Sequence, residues 1–266
     1  MTKILAMTKA HWQVMSSYRI QLLISFAGLL VAVFPLYFVA QALQPVMARS
    51  IADQGGNAFG FLIVGLATYT LASVCVTALP GAVGGGIGNG VFEALLATPT
   101  STPVLILGLN TFDLSMAALR CGVLLLSGAL LGATLAPAHL LPGLLVLGLI
   151  VLTHLPFGFI GAALVIAFRT AGPLPKGIML GSGLLGGVYY NTTVIPSWLQ
   201  SLSNFVPLTY GLRALRQVLL RGDSLAAVAP DLLWLVGAAL VLHAVGALAL
   251  TSSLRYARHR GTLAQY

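Results

Sequence analysis

Long apolar segments alternate with short polar segments along almost the whole chain. Six of them approach or exceed the ~20 residues with which an α-helix crosses the hydrocarbon core of a bilayer. These segments cover residues 20–43, 58–83, part of 104–136, 140–168, 177–195 and 232–254. The pattern predicts an all-α integral membrane protein with six transmembrane helices, in which residues 1–266 form a single transmembrane domain.

The residues before the first apolar segment are amphipathic. Ile4, Leu5, Thr8, Trp12 and Met15 fall on one face of a helix, and the lysines fall on the other faces. Because tryptophan favours the membrane–water interface, residues 1–19 are predicted to form an interfacial helix on the cytoplasmic leaflet. The apolar segment that follows is longer than the ~7–15 apolar residues of a signal peptide, so we expect it to be retained as a span.

Residues 195–222 do not have the pattern of a lipid-facing span. Pro196 and Pro207 interrupt the segment. After Pro207 an apolar stripe recurs at helical spacing, and Arg213, Arg216 and Gln217 are placed off it. The stripe consists of Leu208, Leu212, Leu215 and Leu219. We predict a pair of short re-entrant helices that enter the outer leaflet and return to the same side.

A glycine-rich stretch lies between the second and third apolar segments. Residues 81–88 have the sequence GAVGGGIG and lack the Lys-Ser/Thr pair with which a P-loop binds phosphate and magnesium. We therefore predict a flexible loop at the membrane edge. The loop covers residues 84–103 on the cytoplasmic side, and its one charged residue is Glu93.

Composition supports lipid as the main solvent of this chain. Of 266 residues, 58% are hydrophobic and 7% are charged, and the mean hydropathy is +0.99. Soluble domains carry roughly 25% charged residues. The Lys and Arg residues behind the net charge of +8 are spread along the chain, which argues against a surface for nucleic acid.

The distribution of basic residues predicts the topology. With the N-terminus inside, eight basic residues are cytoplasmic and four lie on the other side. Because Lys and Arg accumulate on the cytoplasmic side, both termini are predicted to be cytoplasmic. The cytoplasmic residues are Lys3, Lys9, Arg19, Arg169, Lys176, Arg255, Arg258 and Arg260, and the others are Arg49, Arg213, Arg216 and Arg221.

The sequence contains few residues or motifs that are typical of an enzyme active site. It has five acidic residues, no Gly-x-Ser-x-Gly motif, and no His, Cys and carboxylate spacing typical of a metal site. Cys75 and Cys121 lie in apolar segments and are interpreted as small core residues. We therefore expect no catalytic residue, no metal and no cofactor on this chain.

Four ionisable residues fall inside predicted spans: Asp113, Arg120, His154 and His243. Such residues are costly in hydrocarbon and are candidates for function. Asp113 and Arg120 share a helical face about 10 Å apart, and Asp113 has an alternative interpretation as an interfacial residue. The two histidines are interpreted as structural residues with local hydrogen bonds, and the alternative is a role as proton carriers.

Three stretches in this order resemble the type-2 ABC exporter permeases of bacteria. Residues 90–101 (GVFEALLATPTS) are similar to the cytoplasmic segment of the family that couples to the ATPase. Residues 186–190 (GGVYY) with 194–200 (VIPSWLQ), and residues 204–216 (NFVPLTYGLRALR), are similar to its late motifs. One departure is Tyr190-Asn191, where the family commonly has a proline.

The resemblance implies a division of labour between chains. ATP and magnesium are expected on a separate ABC ATPase, present in two copies beside two permeases, which are identical or paralogous. The coupling segment is expected to be a cytoplasmic amphipathic helix that docks in a groove on the ATPase. The residues expected to couple to the ATPase are Phe92, Glu93, Leu95, Leu96, Thr98 and Pro99. The residues expected at the outer gate are Tyr189, Tyr190, Pro196, Trp198, Pro207, Tyr210 and Arg213.

These observations together predict an exporter permease in the bacterial plasma membrane. Because the predicted interior is apolar and almost uncharged, we expect an amphiphilic cargo, a hydrophobic drug or a lipid. One alternative is an exporter of lipid-linked glycans, and another is a membrane assembly subunit without cargo. A third is a channel or proton-coupled carrier that depends on the four ionisable residues within the spans.

Overall fold

The computed structural model describes the backbone of residues 2–260 and most side chains in that range. Residues 1 and 261–266 lie outside the description, as do the side chains of residues 2–4, 10, 11, 14–16, 258 and 260. The sequence predictions that concern the side chains of Lys3, Ile4, Met15, Arg258 and Arg260 therefore fall outside the described part.

Helices form most of residues 2–260, and this range contains no β-strand. The helices are α1 (Thr2–Ser17), α2 (Arg19–Met47), α3 (Ala58–Gly88), α4 (Val91–Leu96), α5 (Thr102–Leu130), α6 (Leu140–Phe168), α7 (Leu174–Leu185), α8 (Ser197–Ser203), α9 (Pro207–Arg216) and α10 (Ala229–Arg260). A π-helical turn, Gln217–Arg221, continues α9.

Within the described residues, five helices are long and apolar enough to cross a bilayer: α2, α3, α5, α6 and α10. They coincide with five of the six predicted spans, and they confirm the all-α integral membrane class. Each has 29 or more residues, about 44 Å at 1.5 Å per residue, which exceeds the hydrocarbon thickness of about 30 Å.

The sixth prediction, a continuous span over residues 177–195, is wrong. Helix α7 has 12 residues, about 18 Å, and it ends before Gly186. Gly187 has a φ of 73°, a left-handed conformation that an α-helix cannot continue through and that glycine adopts at low cost. The chain after α7 is therefore irregular, although its apolar composition resembles that of a span.

Helix α3 is the centre of the bundle. Most of its side chains between Ala58 and Val83 are buried, because α2, α5 and α6 pack around it. By contrast α2 buries only Val33 and Ala40, and its exposed apolar side chains are available to lipid or to a second chain. Close approach depends on glycine at Gly158, where a Cβ would lie 2.4 Å from the carbonyl oxygen of Cys75.

The bundle has two different ends, the α4 end, where α4 packs, and the α9 end, where α9 packs. At the α4 end, the buried side chains of Val83, Phe92, Val165 and Leu254 belong to one apolar cluster. This cluster joins the C-terminal part of α3 to α4, α6 and α10. The C-terminal part of α10 therefore lies at the α4 end.

Residues 195–222 begin and end at the α9 end. Asn191, just before this segment, contacts the Asp53 carboxylate with its Nδ2 at 3.3 Å. Arg221, near the end of the segment, donates from Nη1 to the carbonyl oxygen of Asp53 at 2.9 Å. The predicted pair of short helices is present as α8 and α9. Their placement in the outer leaflet stays a prediction.

Two further segments differ in detail from the sequence prediction. Residues 84–88, assigned above to a flexible loop, continue α3, so the connection to α5 begins at Asn89. Residues 2–17 form the predicted N-terminal helix, and Trp12 stacks edge-on against Phe112 of α5 with ring centroids 6.3 Å apart. Leu5 and Trp12 remain exposed, so the interfacial location of α1 stays a prediction.

Candidate functional site

Helix α4 presents one face to the bundle and the other to solvent. Phe92 is 5% exposed and packs in the apolar cluster at the α4 end, where Leu96 is packed against the same cluster. Gly86 of α3 leaves the room for this contact, because a Cβ there would lie 3.2 Å from the Cβ of Phe92. Of the predicted coupling residues, Phe92 and Leu96 therefore already pack against the protein itself.

The outward face of α4 consists of other residues. Val91, Ala94 and Thr98 are exposed, and Glu93 and Leu95 are half-buried. The carboxylate of Glu93 forms no ion pair within the described part of the chain. Thr98 donates from Oγ1 to the carbonyl oxygen of Leu95 at 2.7 Å, which closes the last turn. Pro99 follows, exposed, where α4 has ended.

Arg216, on α9, is the most deeply buried charged residue among the described side chains, with 2% of its surface exposed. Its Nη1 donates to the carbonyl oxygen of Gly187 at 2.8 Å, and its Nη2 to that of Val188 at 2.9 Å. Nε and Nη2 also donate to the carbonyl oxygen of Phe61, at 3.2 and 3.1 Å. Nη1 contacts Gln54 Oε1 at 3.4 Å. The donors of this guanidinium are thus used within the protein.

The environment of Arg216 explains why the chain after α7 can be irregular. Backbone carbonyls that leave a helix need other partners when they are removed from water. The guanidinium provides charged donors to Gly187 and Val188, the first irregular residues. Gly65 of α3 permits this approach, because a Cβ there would lie 2.3 Å from the carbonyl oxygen of Val188 and 2.6 Å from Arg216 Nη2.

A second polar contact joins α9 to the start of α10. Arg213 forms a bidentate ion pair with Asp231, in which Nε donates to Oδ2 at 2.8 Å and Nη2 donates to Oδ1. The hydrogen bond with Asp231 raises the pKa of Arg213 above its ordinary value, and burial opposes this shift. Tyr210 stacks on Trp234 with ring centroids 4.1 Å apart, and Arg213 lies over the Tyr210 ring.

The residues predicted at the outer gate are divided between two environments. Pro207, Tyr210 and Arg213 belong to α9 and pack against the bundle, whereas Pro196, just before α8, and Trp198 of α8 are exposed. Tyr189 and Tyr190 lie in the irregular segment after α7, where Tyr189 is half exposed and Tyr190 donates its hydroxyl to the carbonyl oxygen of Leu184.

Asn191 belongs to the pair Tyr190-Asn191, which stands where the resembling family commonly has a proline. It is 4% exposed, and its Nδ2 donates to the carbonyl oxygen of Ser50 and to Asp53 Oδ1. Its Oδ1 accepts from the backbone N–H of Thr193 at 3.3 Å. The amide therefore fastens the segment after α7 to the connection between α2 and α3, which a proline has no side-chain donor to do.

The two histidines within spans have local hydrogen bonds. The Nδ1 atom of His154 is 2.8 Å from the carbonyl oxygen of Ile150, and that of His243 is 2.9 Å from the carbonyl oxygen of Ala239. The Nε2 atom of His154 is buried and has no partner among the described residues. No hydrogen bond or ion pair within residues 2–260 joins these histidines to each other.

Asp113 and Arg120 lie on α5 and do not form an ion pair with each other among the described residues. Arg120 donates from Nη2 to Ser25 Oγ of α2 at 3.2 Å. Its Nε is buried and has no partner in the same part of the chain. Within residues 2–260, no group of three or more His, Cys, Asp or Glu side chains is arranged to hold a metal ion.

Sequence reasoning did not assign Gln54, Asn191, Asp231 or Trp234 to the site, and it placed Arg216 off the apolar stripe of α9. One signal for Arg216 was available, because it lies four residues after Leu212 and therefore on the same helical face.

The comparisons with known proteins agree with the resemblance stated from the sequence. A family model described as ABC-2 type transporter matches residues 2–220. No curated protein matches the chain. The matched range includes the helices α1 to α9 and most of the π-helical turn.

Proposed function

Because the chain belongs to the ABC-2 type transporter family, we propose that it is the transmembrane permease of an ATP-driven exporter. Membership makes it a membrane component of an ABC transporter. ATP is then hydrolysed on a separate ATPase subunit, with two ATPases and two permeases in the full assembly. The bacterial plasma membrane, with both chain termini in the cytoplasm, is the proposed location.

The observation that carries this proposal is the attachment of α4 to the bundle. A permease that does not bind ATP must receive work through a contact, and this contact has to be stiff enough to transmit a displacement. Phe92 and Leu96 join α4 to a buried cluster that also contains α3, α6 and α10. A displacement of α4 would therefore reach three spanning helices through close-packed side chains.

The outward face of α4 is the proposed ATPase contact. Val91, Ala94 and Thr98 are exposed there, and Glu93 and Leu95 are partly so. Short apolar side chains suit a groove on a partner, and Glu93 suits a basic group beside that groove. Phe92 and Leu96 keep a role in coupling, but they act inside the permease and not on the ATPase.

The proposed cargo is amphiphilic. An apolar cavity of about 430 Å³ opens between α5, α6 and α10 near the α4 end. It is lined by side chains such as Ile106, Leu107, Leu250 and Leu254, with Arg255 at its margin. A hydrocarbon chain from the cytoplasmic leaflet fits such a wall, and a basic residue at the margin suits a polar headgroup.

The α9 end is the proposed outer gate. Its helices are held by two different kinds of contact, the buried carbonyl contacts of Arg216 and the partly exposed ion pair of Arg213 with Asp231. Asp231 is buried, but Arg213 remains partly exposed in this pair, so water can replace this contact at lower cost than the contacts of the fully buried Arg216. We propose that α9 keeps its contact with the segment after α7 while the contact with α10 opens and closes.

Co-purification with the partner ATPase tests the proposed coupling. Ala94→Asp changes the outward face of α4 without altering the packing of Phe92, and Ser201→Asp on exposed α8 is the matched control at the opposite end. We expect Ala94→Asp to lose the ATPase and the cargo-stimulated hydrolysis, and Ser201→Asp to retain both. Wild-type assembly and stimulation in Ala94→Asp would show that α4 is not the contact.

A further inference from the structure

A cavity of about 290 Å³ lies between α2, α3 and α5, and its lining residues include no residue of α4 and no hydrogen-bond partner of Arg216. It is lined by Ser25, Leu29, Tyr69, Thr70, Ser73, Val74, Ala117 and Arg120. One part of this wall therefore carries hydroxyl groups and a cation, and the other part is aliphatic. A cavity of this size is comparable to the smaller ligand pockets of proteins, about 300 Å³.

Arg120 has unused hydrogen-bonding capacity at this cavity. A guanidinium has five N–H donors, and Arg120 uses one contact, from Nη2 to Ser25 Oγ at 3.2 Å. Its Nε is buried and has no partner among the described residues. Arg216, which is more deeply buried than Arg120, donates instead to three backbone carbonyl oxygens and a side-chain oxygen. The two arginines therefore differ in whether the protein itself satisfies them.

No carboxylate of the described chain neutralises Arg120. The two ion pairs of that part of the chain join Arg213 to Asp231 and Arg221 to Asp223, both at the α9 end. A cation inside a spanning helix is costly without a partner, so such residues mark ligand or ion pathways by default. The expected partner of Arg120 is therefore an anion that comes from outside the chain.

We propose that this cavity binds the anionic headgroup of an amphiphile, and that Arg120 donates hydrogen bonds to its carboxylate or phosphate oxygens. Ser25, Thr70 and Ser73 lie beside it with hydroxyl groups, and Leu29, Val74 and Ala117 contact the first part of the hydrocarbon chain. Arginine suits this role, because its planar N–H donors match two oxygens of a carboxylate or phosphate. The identification of this amphiphile as cargo rests on the proposed function.

Tyr69 connects this cavity to α7, the helix that leads to the proposed outer gate. It lines the cavity from α3, and its ring also packs against Gly183 of α7, where a Cβ would lie 3.0 Å from Cε2. Helix α7 continues into the irregular segment that Arg216 holds at the α9 end. A headgroup at Arg120 thus lies one side chain away from the helix that leads to the proposed gate.

Binding of labelled amphiphiles to the full chain in phosphatidylcholine nanodiscs tests this inference without an ATPase. The probes are palmitate, hexadecyl phosphate and the uncharged methyl palmitate, with acetate and inorganic phosphate as competitors that lack a hydrocarbon chain. We expect the acids to bind roughly tenfold or more tightly than the ester, because charge-assisted hydrogen bonds form only with the anion.

Variants of the cavity and one matched arginine complete the experiment. Arg120→Gln should weaken binding of both acids by roughly tenfold or more and leave the ester unchanged, whereas Arg120→Lys should recover part of the loss. Arg49→Gln, at an exposed arginine after α2, is the control and should bind as the wild type does. Leu29→Trp fills the cavity and keeps the charge of Arg120, so it should abolish binding. This variant tests the site independently if Arg120→Gln does not fold.

Three results would overturn the inference. The first is wild-type palmitate binding in a folded Arg120→Gln or Leu29→Trp protein. The second is equal binding of the acid and its ester. The third is competition by acetate or phosphate as strong as that by the amphiphiles, which would identify a site for small soluble anions. If the amphiphile binds in an Arg120-dependent way but is not exported when ATP is supplied, the proposed function is contradicted and the binding site is supported.

Discussion

Replacement of Arg216 by lysine tests how the irregular segment after α7 is stabilised. Lysine keeps the positive charge, but its ammonium group is a single point and cannot reach acceptors on two separate chain segments. In the wild type, the guanidinium serves the carbonyl oxygens of Gly187 and Val188 on one side and of Phe61 on the other. Arg216→Lys therefore leaves at least part of this set without a donor, while a charge stays buried.

The expected destabilisation follows from these contacts. Hydrogen bonds to charged groups contribute about 1.5–3 kcal/mol each, and the Gly187 and Val188 carbonyls have left the helical ladder. Loss of both contacts corresponds to about 3–6 kcal/mol, and the lysine ammonium recovers part of it. We expect a net loss of about 3 kcal/mol, which lowers Tm by roughly 6–12 °C in a domain of this size.

Two native cysteines provide the assay. Cys75 and Cys121 are buried and free, so a thiol-reactive fluorogenic dye reports unfolding of the purified protein in detergent. Arg221→Lys is the control, because Arg221 is exposed and donates to a carbonyl oxygen at the same end of the bundle. A Tm of Arg216→Lys within about 2 °C of the wild type, with Arg221→Lys equally unaffected, would refute this account of α7.

Three other substitutions have defined outcomes. Gly65→Ala places a methyl group 2.3 Å from the carbonyl oxygen of Val188, so it should destabilise the protein by at least the roughly 1–3 kcal/mol that is typical of an overpacked core, and should lower Tm accordingly. A wild-type Tm would contradict this packing. Asp231→Asn should lower the stability by about 1.5–3 kcal/mol, because it weakens a charge-assisted contact whose Asp231 side is buried. If this contact gates, the basal ATPase activity should also rise, and an unchanged ATPase activity would argue against a gate role. His154→Gln should transport at a similar rate between about pH 6 and 8, and transport lost in a well-folded variant would favour a proton carrier.

Hydropathy predicted most of the fold because a bilayer imposes it. Any segment that crosses hydrocarbon must be long, apolar and helical, and this constraint is visible in the sequence as α2, α3, α5, α6 and α10. It does not distinguish a helix from an irregular segment that the protein itself covers. The segment after α7 has apolar residues and still leaves the helix at Gly187, because Arg216 supplies the missing donors.

The candidate site was less predictable than the spans. The resemblance implied a coupling helix at the position of α4, but the orientation of α4 depends on an apolar cluster formed with α3, α6 and α10. Phe92 therefore faces inward, whereas the resemblance had implied a contact between Phe92 and the ATPase. The contact between Arg213 and Asp231 joins two helices across a turn, and neither residue indicates its partner by sequence spacing.

The environments of Arg120 and Arg216 show the same limit. Each is a single basic residue in an apolar context, and the sequence does not state which of them meets backbone carbonyls. In the structure one guanidinium is satisfied by the protein, whereas the other lines a cavity and has a buried Nε without a partner among the described residues. A role in ligand binding is therefore inferred for Arg120 because its hydrogen-bond donors are not all used by the protein, and not merely because it is charged.

Reconstituted transport tests the central claim most directly. The chain and its partner ATPase are placed in proteoliposomes with a labelled amphiphile in the bilayer, and ATP is supplied on the ATPase side. The account predicts ATP-dependent movement of the amphiphile away from that side, its loss in Ala94→Asp, and no requirement for a proton gradient. Movement at an undiminished rate without ATP or without the ATPase would contradict the account.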